Sequence, residues 1–295
     1  MTHMLSALIH AWHEGREAAA VAADAASARQ LRADFFWSRL LRFGKLPSYN
    51  RPRRVVLKDG TVHYRFNRGD LQSLREVLIQ EVYAWELPLE PRTVLDLGAN
   101  IGLTSVWLWR RHLGSQTLSN PVKPWLLAVE PVLENAAVAE MNLRDNAISG
   151  AVLCAAVGQR SGEARFDLRA ESNLGRVVAA ESGAYLTRVP VVGIRELLDR
   201  FPQGRVDLVK MDIEGGEQEL LGQDTDWLER VQALMVEWHD DRADSRPLIQ
   251  NIVAAGFQHH RLNAARQENL SVFWRSDGRN APSQSDRIQP NPTSL

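Results

Sequence analysis

Two short runs of the sequence concentrate the groups that could do chemistry. In "VDLVKMDIEGGE" (206–217), an apolar strand breaks into Lys210, Asp212 and Glu214 at its carboxyl end, and Gly215-Gly216 then turns the chain towards a helix. Alternation puts the three charged groups on one side for as long as the strand persists. In "ALMVEWHDD" (233–241), Met235, Glu237 and His239 share one face, with Leu234, Val236 and Trp238 on the other. Glu237 and His239 therefore emerge at the same sheet edge as Asp212 and Glu214. Imidazole titrates near neutrality and can take a proton from a hydroxyl, which makes His239 the candidate general base. Asp212, Glu214 and Glu237 would orient the acceptor, the base, or both. The plain structural alternative is an ion pair of Lys210 with Asp212 or Glu214 that closes the sheet end. The same carboxylates and histidine could instead hold Mg²⁺ or Mn²⁺. No ligand spacing is diagnostic, and no metal is assigned.

A third run, "VLDLGANIG" (94–102), reads as a buried strand, a glycine turn and a helix start. Backbone N–H groups at such a turn receive cofactors in many α/β enzymes. A dinucleotide loop has three glycines; here Gly98 and Gly102 are present, but Asn100 replaces the middle one. Asp96 would also set a carboxylate against a doubly charged pyrophosphate. S-adenosylmethionine (SAM) suits the loop better, because its ammonium and sulfonium favour an acidic strand end and its carboxylate a helix N-terminus. Glu130, in "LLAVEP" (126–131), can accept hydrogen bonds from ribose hydroxyls, as it would for NAD too. Pro131 and Ala155, after the second and third strands, complete the cofactor set.

These runs together resemble the FkbM family of SAM-dependent methyltransferases. The resemblance rests on "VLDLGANIG", "AVEP", "VDLVKMDIEGGEQELL" and "MVEWH", with "LKDGTVHYRF…GDL…LREVLIQEVY" upstream, and covers roughly Val55 to Trp274. It implies a class I methyltransferase fold: a Rossmann-like, mostly parallel sheet of seven strands with the last antiparallel. It also implies SAM as cofactor and, usually, O-methylation of a hydroxyl, here on a sugar, polyketide or other natural product. Two alternatives stay open: methylation of a peptide carboxylate or amine, and a module that binds SAM without transferring anything. A carboxylate acceptor is already ionised at neutral pH and needs no base.

The elements that must position these groups follow from periodicity. Strands are expected at Thr93–Leu97, Trp125–Glu130, Ala151–Cys154, Val206–Met211 and Ala233–Glu237, with helices at Leu103–His112, Glu134–Asn146, Glu217–Leu221 and Arg246–Ala255. That alternation predicts a parallel sheet covered on both faces. "GFQHHRL" and "NLSVFWRS" should close it as an antiparallel pair. Upstream, Asp59-Gly60 marks a hairpin within Arg54–Phe66, a helix is expected over Asp70–Leu87, and one or two helices precede them. The expected division is an extension over 1–88, a SAM-binding domain over 89–275, and a disordered tail over 276–295 whose composition offers no core. Trp12, Phe35, Phe36 and Trp37 could cover the active site or pair two subunits as a homodimer; packing onto their own domain is the default.

Bulk composition excludes more than it selects. The 295 residues are 44% hydrophobic and 24% charged, with a net charge of −1, which offers no argument for a nucleic-acid or membrane partner. A single cysteine, Cys154, rules out an internal disulfide and a cysteine-rich zinc site. Neither a membrane span nor a signal peptide is read from the sequence, so a cytoplasmic enzyme acting on a small-molecule or peptide acceptor is expected.

Overall fold

The computed structural model describes residues 2–39, 47–114, 123–167, 176–177, 186–240, 244–262 and 269–276. Two helices, α1 (Thr2–Ala20) and α2 (Ala25–Ser38), lead into an antiparallel hairpin of β1 (Pro52–Leu57) and β2 (Gly60–Arg65). Asp24 caps α2, accepting a hydrogen bond from the Ser27 backbone N–H. Helix α3 (Arg68–Leu74), capped by Asn67, runs into a π-turn over Arg75–Ile79 and stops there. The helix expected as far as Leu87 is therefore too long: Glu81 takes a left-handed φ of 48°, which no helix continues through.

The main domain then alternates as expected. Its elements are β3 (Thr93–Leu97), α4 (Leu103–Leu108), β4 (Trp125–Val129), α5 (Leu133–Asp145), β5 (Gly150–Leu153) and a small sheet of β6 (Ala156–Gly158), β7 (Gly162–Asp167), β8 (Arg176–Val177) and β9 (Leu186–Gly193). They continue with α6 (Ile194–Asp199), β10 (Val206–Met211), α7 (Glu217–Leu221), β11 (Val231–Glu237), α8 (Ser245–Ala254), β12 (Gln258–Arg261) and β13 (Leu270–Trp274). The seven-stranded sheet has the order β12-β13-β11-β10-β3-β4-β5, with β13 antiparallel to both neighbours and the other pairs parallel. This is the class I methyltransferase arrangement. The four-stranded sheet has no counterpart in the sequence reading. The polar run Arg169–Val178 falls mainly outside the described residues, as do most of Gln116–Trp125 and the tail beyond Ser276.

Strand residues alternate between two cores because the sheet is covered on both faces. Leu95, Leu97, Val129, Val209, Met211, Leu234 and Val236 pack under α6, α7 and α8. Val94, Ala128, Leu208, Ala233 and Met235 face the other way, against α4, α5 and the extension, whose Leu31, Phe35, Val55, Val62 and Leu74 join the same core. The hairpin is also pinned by polar contacts: Asn142 of α5 accepts from the His63 N–H at 2.7 Å, and Asn146 donates to the Thr61 carbonyl at 2.7 Å. Asp96, Lys210 and Glu237 lie on this second face. The extension is their roof.

Candidate functional site

The cofactor-side residues gather where β3, β4 and β5 end. Gly98 has a φ of +75°, and a Cβ there would sit 1.7 Å from the Asp212 carbonyl oxygen. This position requires glycine because β10 ends against the loop. Gly102, with φ +76°, packs on α5, where a Cβ would sit 3.0 Å from the Ala139 side chain. Between them, Asn100 adopts a φ of 50°; its N–H donates to Glu130 at 2.9 Å and its side-chain amide to the Ser73 hydroxyl at 2.9 Å. The Asn100 Oδ1 is buried and takes no hydrogen bond. Glu130 is buried; its second oxygen accepts from the Val132 N–H at 2.9 Å, and Pro131 turns the chain beside it into α5. Burial raises the Glu130 carboxyl to about 7, against these N–H contacts and the more distant charge of Lys210. Ala155 is buried behind this edge, with its N–H spent on the Leu153 carbonyl.

The chemical groups gather at the ends of β10 and β11. Register places Lys210 beside Asp96, and the fully buried pair meets at 3.2 Å. Asp96 also accepts from the Ser105 hydroxyl at 2.6 Å, and Lys210 donates to the Gly98 carbonyl at 2.9 Å. Asp212 stands 3.7 Å from the same ammonium. Burial opposes the charge on Lys210, but Asp96, Asp212 and Glu237 outweigh it and raise its pKa. The Asp96 carboxylate thus points into the protein and would act on a cofactor through the loop it holds.

Strand geometry does not carry Glu214 to the site as alternation suggested, because β10 ends at Met211. Glu214 instead reaches it from a left-handed turn, with a φ of 56°. His239 then meets three carboxylates. Its Nδ1 contacts Glu217 at 3.0 Å, while Nε2 lies 3.6 Å from Asp212 and 3.5 Å from Glu214. A carboxylate can only accept, so Nδ1 donates to Glu217, and Nε2 faces Asp212 and Glu214. Burial works against protonation of the ring, but the Glu217 hydrogen bond and the charges of Asp212, Glu217 and Glu214 prevail, raising His239 to about 9. Glu237 is raised to about 7, first by Asp212 and then by burial, against Tyr83, Lys210 and His239. The ligand atoms of Asp212, Glu214 and His239 lie within 4.8 Å of one another, a spacing that could admit a metal ion. We read the group as a hydrogen-bonded charge cluster centred on the imidazolium.

Three contributors escaped the sequence reading. Glu217, buried in the first turn of α7, stands within a run already singled out, and its place three residues after Glu214 was the available signal. Ser73 and Tyr83 come from the extension; Tyr83 closes the run "LREVLIQEVY", but nothing in that run assigns it to the site. Other polar candidates are structural. Cys154 has a thiol raised by burial, and His259 stacks on Phe273 at 4.6 Å while bonding Ser271. Among the described residues, no helix is long and apolar enough to cross a membrane.

The SAM moieties fit what the chain offers. The unpaired Asn100 Oδ1 and the second lone pair of the Glu130 Oε2 can accept further hydrogen bonds, and hydroxyl and ammonium groups of SAM are donors. None of the curated proteins is similar enough to count as a relative. Among solved structures, a Bacillus cereus O-methyltransferase in complex with SAH is 12% identical, over 68% of this chain and 94% of that one, with a TM-score of 0.37. SMU.776, a putative methyltransferase complexed with SAH, is 10% identical over 83% of this chain and 64% of that one, with a TM-score of 0.41. A Streptococcus agalactiae protein of the NADB-Rossmann superfamily is 15% identical, over 66% of each chain, with a TM-score of 0.37. The sequence model of the methyltransferase FkbM domain matches residues 96–263, more than half of the chain. The chain thus belongs to the FkbM methyltransferases, enzymes whose methyl donor is S-adenosylmethionine.

Proposed function

We propose that the enzyme methylates a hydroxyl of a small molecule such as a sugar or polyketide, with His239 as the base that receives the hydroxyl proton. The observation that carries this reading is the Glu217–His239 contact of 3.0 Å, which fixes the ring and turns Nε2 to Asp212 and Glu214 at the carboxyl edge of the sheet. Bound SAM supplies an electrophilic methyl carbon on a sulfonium. The chain's task is alignment and proton removal. Asp212 and Glu214 flank the ring and stabilise its imidazolium form, while Glu237 orients the acceptor. Lys210 is committed to Asp96 and holds the floor of the site. Asp212, Glu214, Glu217 and Glu237 outnumber the Lys210 and His239 cations at this end, and the excess of negative charge disfavours an anionic acceptor such as a peptide carboxylate.

The test is transfer of a labelled methyl group from SAM to neutral polyols, polyketide alcohols and C-terminal peptides. Label in alkali-stable ether products supports the reading. Label only in alkali-labile esters, or in amines, overturns it.

Cofactor binding carries its own pH signature. Ribose hydroxyls donate best to ionised Glu130, whose carboxyl is protonated below about 7 in the free protein. Binding must then expel a proton, so SAM affinity measured by calorimetry should fall by up to about tenfold per pH unit below 7. Glu130→Gln should bind more weakly at pH 8 and lose that slope. A wild-type affinity independent of pH between 5 and 8 counts against Glu130 as the ribose acceptor.

A further inference from the structure

Tyr83 lies 154 positions from Glu237 in sequence, yet its hydroxyl donates to the Glu237 Oε2 at 2.8 Å. The side chain is buried, and the ring lies 5.9 Å from the Lys210 ammonium. A specific backbone path brings it there. The π-turn at Arg75–Ile79 ends the helix, Glu81 turns left-handed, and the Val82 N–H bonds back to the Glu76 carbonyl. Such turns carry a conformational cost and persist where the surroundings fix them. The same segment touches the other half of the site, because Ser73 of α3 holds the Asn100 side chain on the cofactor loop.

We propose that Tyr83 is a positioning residue of the acceptor site: its hydroxyl fixes Glu237 in place, which makes the segment from α3 to Tyr83 a working wall of the catalytic centre. The proposal rests on the hydroxyl-methylation reading above, in which Glu237 orients the acceptor. The groups acting on Glu237 are Lys210 of β10, Asp212 just after that strand, His239 beyond its own strand, and Tyr83. Asp212 repels it. Among the described residues, Tyr83 supplies its hydrogen bond, and a phenol this deeply buried stays a neutral donor at every accessible pH, because burial and Glu237 push its pKa well above 10. Without that bond, Glu237 stays beside Asp212 but loses the donor that fixes its carboxylate, and the acceptor loses its orienting partner. Tyr83 lies outside the family-matched residues 96–263, so the matched domain alone lacks this contact.

The experiment uses the full chain saturated with S-adenosylhomocysteine and labelled with ¹³C at glutamate carboxyls, the Glu237 signal being assigned from Glu237→Gln. In the wild type that signal should titrate near 7. In Tyr83→Phe its midpoint should move up by about half a unit to one unit, since loss of a donor disfavours the carboxylate. With the acceptor found by the labelling screen, kcat should fall about tenfold or more while KM for SAM stays within about twofold. Tyr83→Phe keeps the ring and therefore the packing; a melting temperature near that of the wild type verifies this. An unmoved midpoint, or an unchanged kcat, overturns the proposal. Equal losses in kcat and in S-adenosylhomocysteine affinity also overturn it, by showing a general support role. Failure of the unaltered protein to bind S-adenosylhomocysteine sinks the function reading instead, and the two failures are distinct.

Discussion

His239→Ala should lower kcat/KM for a hydroxyl acceptor by about 10²- to 10⁴-fold, the range for loss of a positioned base, with S-adenosylhomocysteine affinity within about threefold of wild type. The pH profile makes the expectation sharper. A group held at about 9 is protonated at neutrality, so at pH 7 only roughly 1% of the free enzyme carries a basic Nε2. The sign follows directly: kcat/KM should rise about tenfold per pH unit from 6 and level off near 9. In His239→Ala that slope should vanish. Glu217→Gln removes the charge and weakens the hydrogen bond that favour the imidazolium, so its limb should shift to lower pH. Its plateau should also fall, because the ring is held less firmly. A profile that is flat in the wild type would show that the acceptor arrives already ionised, and His239 would then have no proton to take.

The parts of this design that the sequence displays are those governed by local rules. β3, β10 and β11 are buried on both faces, so they read as apolar runs, and the breaks into charge at Asp96, Lys210 and Glu237 locate the working edge. The pairing of β12 with β13 is legible as two strand-like runs separated by a short polar stretch of sequence. What failed depended on distant partners. The periodicity of Leu71, Leu74, Val77 and Leu78 continues a helix on paper, but the chain abandons it to deliver Tyr83 to Glu237. The small sheet hides because β6 has three residues, β7 carries Glu163 and Arg165, and β9 contains Pro190, a residue seldom placed in a strand with neighbours on both sides. At the site, sheet-edge logic brought Asp212 and His239 together correctly in space. It could not reveal that Glu217 turns the ring, because a helix's first-turn direction depends on Gly215, at φ 99°, and on the backbone before it. Nor could it turn Asp96 inward, since that follows from the β3–β10 register.

That register sets the second large effect. Lys210→Met should destabilise the fold by about 3–5 kcal/mol, the cost of leaving a buried charge without its partner, and lower the melting temperature by roughly 10 °C. Asp96 is fully buried, and with the ammonium gone only the Ser105 hydroxyl remains to it. The Gly98 carbonyl loses its donor as well, which loosens the cofactor loop at the glycine packed against Asp212. Asp96→Asn alone should cost less, because the amide keeps the shape and can still accept from Ser105. The double variant Asp96→Asn/Lys210→Met should recover part of the loss, since the fully buried carboxylate is gone while Asp212 and Glu237 still lose a counter-charge, giving a coupling energy of about 1–3 kcal/mol in a double-mutant cycle followed by urea unfolding. The outcome separates two assignments for Lys210. If the ammonium serves chiefly as a buried counter-charge, the double variant folds and still binds S-adenosylhomocysteine. If Lys210→Met instead leaves stability unchanged while abolishing turnover, the ammonium acts on the reacting groups, and the floor of the site must be held by other contacts.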